Sequence, residues 1–171
     1  MSHLVVAYPT LDPDDRAWID QVRACHHRDC AQIIAPHVTL VFPHVAPDPA
    51  ALVAHVRRCA AGVPRISFAL RCCIAMPEAD GRASLFLVPD EGFSAIARLH
   101  DTLYTDQLAP QLRHDLPFIP HLTVGLVAQP ARSISDALNR DLGAIRGSLD
   151  ALDVITRDPT VATLAHIRLD A

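Results

Sequence analysis

Pro36-His37-Val38-Thr39-Leu40-Val41-Phe42 and Pro120-His121-Leu122-Thr123-Val124-Gly125-Leu126 are two copies of one short pattern, 84 residues apart in a chain of 171. Pro, His and Thr coincide, and every other aligned position is apolar or Gly. A β-strand has a period of two. His37 and Thr39 therefore share one face, as do His121 and Thr123. Val38, Leu40 and Phe42 point the other way, as do Leu122, Val124 and Leu126, and those faces are expected to rest on helices. An imidazole and a hydroxyl at i and i+2 in an otherwise apolar strand need partners. A third His-x-Thr, His100-Asp101-Thr102, falls in a helical segment, where i and i+2 do not face together.

Working outward, each copy sits at the same place in a repeated plan. The first half reads as a strand over Leu4–Tyr8 and a helix over about 13–28, with Asp12 as cap, Pro13 at its first position and Trp18, Ile19, Val22 and Cys25 on one face. A strand over Ile33–Pro43, a helix over Pro47–Ala61 stopped by Gly62, and a long strand over Arg65–Met76 follow. The second half reads as a strand over Ala83–Val88, a helix opened by Pro89-Asp90-Glu91 and reaching about Leu108, a strand over Phe118–Val127, a helix over Ala131–Leu142, and strands over Gly147–Thr156 and Val161–Leu169 joined by an Arg157-Asp158-Pro159 turn. The halves are two β-α-β-α-β units. The class is α+β, one domain over 1–171 made of two intertwined lobes, each with one Pro-His-x-Thr strand (36–42 and 120–126). Such a duplication packs about a pseudo-two-fold axis, with equivalent residues facing across it.

Composition bounds the chemistry. Half the residues are apolar and a fifth charged, as in a globular domain. Net charge is −4, which argues against a surface that tracks long nucleic acid but leaves room for a small phosphate ligand in one local site. All 15 basic residues are Arg, and Asp outnumbers Glu by 17 to 2, a bias of GC-rich bacterial genomes. The five Cys have no framework spacing, the N-terminal apolar run is too short for a signal peptide, and no stretch approaches a membrane span. These features predict a cytoplasmic monomer with reduced thiols and no membrane partner.

Two His and two Thr converging on one face suit phosphodiester cleavage without a metal or other cofactor. One neutral imidazole takes a proton from the attacking water, and the other, protonated, donates to the leaving ribose oxygen. Each Thr hydroxyl donates to a non-bridging phosphate oxygen as charge develops there, and its short stiff side chain holds the donor at fixed depth. Pseudo-symmetry leaves open which His is acid and which is base.

The two motifs resemble the paired His-x-Thr/Ser motifs of the two-histidine phosphoesterase superfamily, which includes bacterial RNA 2′,3′-cyclic phosphodiesterases, also called 2′-5′ RNA ligases. The repeat plan and spacing match over nearly the whole chain, and close likeness is confined to the motifs. The resemblance implies a bilobal fold, with two antiparallel sheets lining a central cleft and helices outside. It implies metal independence and a 2′,3′-cyclic phosphate of a nucleotide or RNA end, or a related small phosphoester, as substrate, with 2′-5′ ligation as the reverse reaction. His37 and His121 match its acid/base pair, and Thr39 and Thr123 its phosphate-binding positions. The chain departs from members that follow the second motif with a basic residue, since Gly125-Leu126-Val127 is apolar, and eight aromatics provide little for base stacking.

Three further residues are candidates for substrate contact: Tyr8 at the end of the first strand, for stacking; His44, just past the first motif; and His114, in the loop before the second. Cys25-His26-His27-Arg28-Asp29-Cys30 and the i, i+4 pair His55/Cys59 carry metal-ligand residue types, but neither supplies a second spaced pair, so no metal site is assigned. The reading of another class is a non-catalytic nucleotide-binding sensor that uses the same cleft.

Overall fold

The computed structural model describes residues 2–46, 48–157 and 160–171; the first residue of the expected 47–61 helix and most of the expected 157–159 turn lie outside them. Nine strands and six helical segments are present among the described residues. The strands are β1 (Ser2–Ala7), β2 (Thr10–Leu11), β3 (Val38–His44), β4 (Ile66–Pro77), β5 (Ala83–Glu91), β6 (Leu122–Val127), β7 (Ile145–Leu149), β8 (Ala151–Arg157) and β9 (Val161–Arg168). The helices are α1 (Pro13–His26), α2 (Arg28–Ile33), α3 (Pro49–Ala60), α4 (Phe93–Leu103), a 3₁₀ turn over Asp106–Gln111, and α5 (Ala131–Asp141).

Helix starts follow the sequence chemistry. Asp12 caps α1 by accepting the Asp14 N–H, with Pro13 at the first position. Asp48 caps α3 through the N–H groups of Ala50 and Ala51. Ile19 and Val22 of α1 are buried as expected, but Cys25 is exposed and Arg23 is buried in its stead.

Several elements depart from the expectations: the motif strands begin only at Val38 and Leu122, and the helix expected to reach about Leu108 ends at Leu103. Pro89-Asp90-Glu91 continues β5, with Pro89 paired to Leu70, and α4 begins only after Gly92. Gly92 has φ +81°, and a Cβ there would lie 2.5 Å from the Ser67 carbonyl, so the start of α4 is set by backbone geometry and not by its acids. The expected strand over 147–156 is two strands, β7 and β8, broken at Asp150. A short helix, α2, and the two-residue β2 fill segments that carried no expectation.

All nine strands join in one antiparallel sheet, in the order β2-β7-β4-β5-β6-β3-β1-β8-β9, where two sheets were expected. The two flanks of the sheet meet at a single pair, Val38 opposite Leu122. On one side lie β6, β5, β4 and β7, and on the other β3, β1, β8 and β9. The sheet must curl. β2 follows β1 by three residues, about 10 Å of chain, yet it pairs with β7, five strand spacings or about 24 Å away along a flat sheet. A bridge between Pro64 and Asp170 closes the same gap.

Helices α1, α3, α4 and α5 pack on the face that carries Val38, Leu40, Leu122 and Val124, all buried in the main core. Here β3 and β6 share a feature invisible to simple alternation. Val5 pairs with Val41 and Val6 with Thr39, so Leu40 is an extra residue; Leu85 pairs with Gly125 and Phe86 with Thr123, so Val124 is extra. Both bulges fall three residues past a motif His, and each turns two successive residues into the core. Leu40, Val41 and Val124 are wholly buried, and Phe42, expected inward, is 43% exposed. Leu126 is likewise only half-buried. The bulge also explains Gly125: a Cβ there would stand 2.7 Å from Leu85 and 3.0 Å from His26 of α1. Backbone groups freed along these strands find side-chain partners. The Leu40 carbonyl accepts from His100 Nδ1 and the Phe42 N–H donates to the Tyr104 hydroxyl, while Asn139 of α5 bonds both the N–H and the carbonyl of Cys73.

Candidate active site

His37 and His121 each stand one residue before their strand, not within it. Pro36 and Pro120 hold the residues before them extended. In each case the ring Nδ1–H donates to the carbonyl two residues back, His37 to Ala35 at 2.8 Å and His121 to Ile119 at 2.6 Å. A carbonyl only accepts, so the proton on Nδ1 is fixed and the neutral ring presents Nε2 as a free acceptor. Both rings are thereby held in the same tautomer by the same local bond.

The register brings the four motif residues together. Continuing the Val38–Leu122 pair by one residue each way sets Thr39 opposite His121 and His37 opposite Thr123. The two His are then diagonal neighbours, about 7–8 Å apart at the backbone. All four side chains are half-buried, while their strand neighbours Val38 and Leu122 are buried on the other face. A second apolar cluster, Leu4, Val6, Ile34 and Ile155, with Tyr8, Cys30 and Val161 packed on it, fastens α2 and the segment leading to His37 over β1 and β8.

The two imidazoles differ in their surroundings. Tyr8 meets His37 edge-on, with ring centres 6.1 Å apart. Phe86 stacks on His121 at 3.6 Å and 20°. Burial pushes both His below their usual 6.5, and the bonds to Ala35 and Ile119 partly oppose this. His37 is lowered further by the positive charges of Arg23 and Arg157 and by a charge on His121. Arg23 is 2% exposed; its Nη2 donates to the Ile34 carbonyl at 2.6 Å, and its buried Nε has no partner among the described residues.

Of the other sequence candidates, Tyr8 is at the site. His44 is not brought there: it lies at the far end of β3, beside His3 at 6.4 Å between ring centres. His114 is exposed in the segment before the second motif, next to the Arg113–Asp115 ion pair. His55 is buried with Nε2 on the Leu103 carbonyl, and the Cys59 thiol donates to the Thr102 carbonyl, so both serve packing. His100 stacks on Phe118 within the structure, and Thr102 bonds its own helix. Among the described residues no group of three or more His, Cys, Asp or Glu is placed to hold a metal ion.

Phe86, Arg23 and Arg157 carried no expectation from sequence. Arg23 had a legible signal: a charged residue one turn after Ile19 on the apolar side of α1. Phe86 alternates with the buried Leu85 and Leu87, which placed it on the opposite face but not against His121.

The fold and the motif pair are those of the two-histidine phosphoesterase superfamily. Residues 11–160 match the family model of the 2′-5′ RNA ligase superfamily, and the chain belongs to that superfamily. Its fold is that of solved members at low identity. LigT of E. coli in apo form is 18% identical with a TM-score of 0.61, the match covering 99% of this chain and 98% of that one. TT0787 of Thermus thermophilus is 17% identical with a TM-score of 0.67 over the same shares. Usb1 of Kluyveromyces marxianus is 14% identical with a TM-score of 0.55, over 95% of this chain and 97% of that one. No curated protein sequence matches the chain. No helix among the described residues is long and apolar enough to cross a membrane.

Proposed function

We propose that this chain is a metal-independent phosphodiesterase that hydrolyses the 2′,3′-cyclic phosphates of nucleotides or RNA ends by paired His general acid–base catalysis. The observation that carries the reading is the matched pair of imidazoles, each fixed through Nδ1 so that Nε2 is free, flanked by two Thr hydroxyls. Nε2 of neutral His37 takes a proton from water as its oxygen bonds to phosphorus. The bond from phosphorus to one ribose oxygen breaks, and His121 gives that oxygen its Nε2 proton. Thr39 and Thr123 donate to the non-bridging oxygens, where charge develops. The product is a phosphomonoester, and solvent returns the proton from His37 to His121.

The roles follow from the surroundings. Arg23 and Arg157 disfavour a charged His37, which suits it as the base. The face of Phe86 favours a cation at His121, which suits it as the acid. With a ribose 5′-hydroxyl in place of water as the entering group, the same site opens the cyclic phosphate into a 2′-5′ linkage: the 5′-oxygen bonds to phosphorus, the bond from phosphorus to the 3′-oxygen breaks, and that oxygen takes the proton from His121. The strand order about the Val38–Leu122 pair supports two interlocked lobes related by a pseudo-two-fold axis: outward from the pair run β6-β5-β4 and β3-β1-β8, each a motif strand, the first strand of its own half and a strand of the other half. We place the enzyme in the bacterial cytoplasm as a monomer acting on small phosphoesters, with no long nucleic-acid track.

Hydrolysis of the four 2′,3′-cyclic nucleotides in excess EDTA tests the reading. Turnover that persists in chelator is expected. Nucleotide binding without turnover across the panel would replace the enzyme with a sensor.

A further inference from the structure

One row of paired residues runs from the motif face to a polar cavity. Thr39 pairs with Val6, Val6 with Asp153, and Asp153 with His166, so all four project from the same face of the sheet. At about 4.8 Å per strand, Asp153 is some 10 Å from Thr39 and His166 some 14 Å. Val6 is wholly buried, in the apolar cluster on which Tyr8 packs. The cavity, about 600 Å³, is lined by Tyr8, Thr10, Arg65, Asp153, His166 and Arg168 among others. Tyr8 belongs to both places: its ring faces His37 and also walls the cavity.

We propose that this cavity is the base subsite of the catalytic face and that it selects guanine. The inference rests on the cyclic phosphodiesterase reading and adds its specificity. A nucleoside whose phosphate lies between the motif His reaches along Tyr8, with its base in the cavity that Tyr8 walls. The aromatic side chain supplies the stacking surface that every base accepts. Selection comes from Asp153, which is 7% exposed and accepts His166 Nδ1–H on Oδ1 at 2.9 Å. That bond fixes the carboxylate and leaves Oδ2 and its remaining lone pairs for a ligand. Guanine alone offers two adjacent N–H donors, N1–H and N2–H₂, to a carboxylate. Its O6 and N7 are acceptors that an Arg fork bonds best, and Arg65 and Arg168 line the same cavity. Adenine and cytosine set a ring-nitrogen lone pair beside their one amino group, and uracil sets carbonyls on both sides of its N–H; a buried carboxylate repels these.

The test measures kcat/KM for the 2′,3′-cyclic phosphates of guanosine, adenosine, cytidine and uridine, together with calorimetric binding of 3′-GMP and 3′-UMP. Guanosine is expected to lead by about 5- to 150-fold, the range of one good base contact. Asp153→Asn is expected to collapse that ratio toward one. Because Asp153 is buried, the exposed partner His166→Ala provides a second variant, expected to lower the ratio by freeing the carboxylate. Equal turnover of all four bases by the native protein overturns the subsite and leaves the catalytic reading standing. No turnover, with 3′-GMP bound more tightly than 3′-UMP, upholds the subsite and overturns the catalytic reading. A guanosine preference unchanged in both variants assigns selection elsewhere and overturns the proposal.

Discussion

Val38 stands opposite Leu122 at the seam of the sheet, and each is the residue that follows a motif His. This single pair accounts for the geometry of the site. Residues 84 positions apart in sequence become cross-strand partners, and the same register delivers a Thr from each strand to the His of the other.

The Thr hydroxyls are therefore expected to act as phosphate donors. Thr39→Val and Thr123→Val keep shape and remove the donor. Each is expected to lower kcat by about 10²–10³-fold, the effect of losing one oxyanion contact, with Ser restoring most of it. Steady-state kinetics on a 2′,3′-cyclic nucleotide measures this, and an unchanged kcat in both variants would remove the Thr pair from the chemistry.

The acidic limb of the pH–rate profile is expected to report His37. Burial holds its pKa below 6.5, and the Arg157 charge adds to that effect. Removing that charge makes the imidazolium less unfavourable, so Arg157→Gln is expected to move the acidic limb of kcat/KM upward, toward 6.5. A limb that stays in place or moves down would show that Arg157 does not act on the base.

Phe86 is expected to govern the opposite limb. Its ring covers the face of His121 at 3.6 Å and favours the charged form. Phe86→Leu removes the π-face while keeping apolar bulk, so the basic limb of kcat/KM should shift to lower pH, and Phe86→Tyr should leave it near its native position. If Leu and Tyr behave alike, the stacking has no electrostatic role.

Stability carries its own pH signature. His3, His27, His37, His100 and His121 all have pKa values below 6.5, chiefly through burial. In the unfolded chain they titrate near 6.5. Their contribution is complete above that value. It is lost as pH falls through 6.5 toward the folded-state values, because the unfolded chain binds protons that the folded one refuses. Each such proton contributes up to about 1.4 kcal/mol per pH unit. Urea midpoints at pH 8, 7, 6 and 5 are expected to hold between 8 and 7 and then drop. A flat midpoint down to pH 5 would contradict the burial of these rings.

Much of this was legible in sequence, for identifiable reasons. Periodicity and caps locate the cores of the motif strands and the start of α1, because local chemistry decides them. Alternation failed past Leu40 and Val124, at Phe42 and Leu126, since a bulge is a property of two strands in register and neither strand shows it alone. Pro89-Asp90-Glu91 imitates a helix start, but pairing with β4 overrides the local preference. Cys25 reads as inward on α1, but Arg23 is buried in its stead, donating to the Ile34 carbonyl that the chain beyond α2 brings in. The stack of Phe86 on His121 depends on the β5–β6 register and has no local trace. The row from Thr39 to His166 likewise exists only once four strands are aligned.

The central claim is that His37 and His121 act together on one phosphodiester. It is tested most directly by kcat for 2′,3′-cyclic nucleotide hydrolysis in EDTA by the native protein, His37→Ala, His121→Ala and the double variant. Each single substitution is expected to cost about 10²–10⁴-fold. The double variant is expected to be little slower than the worse single one, because residues that act as a unit are not additive. Retention of near-native kcat by either single variant would contradict the account.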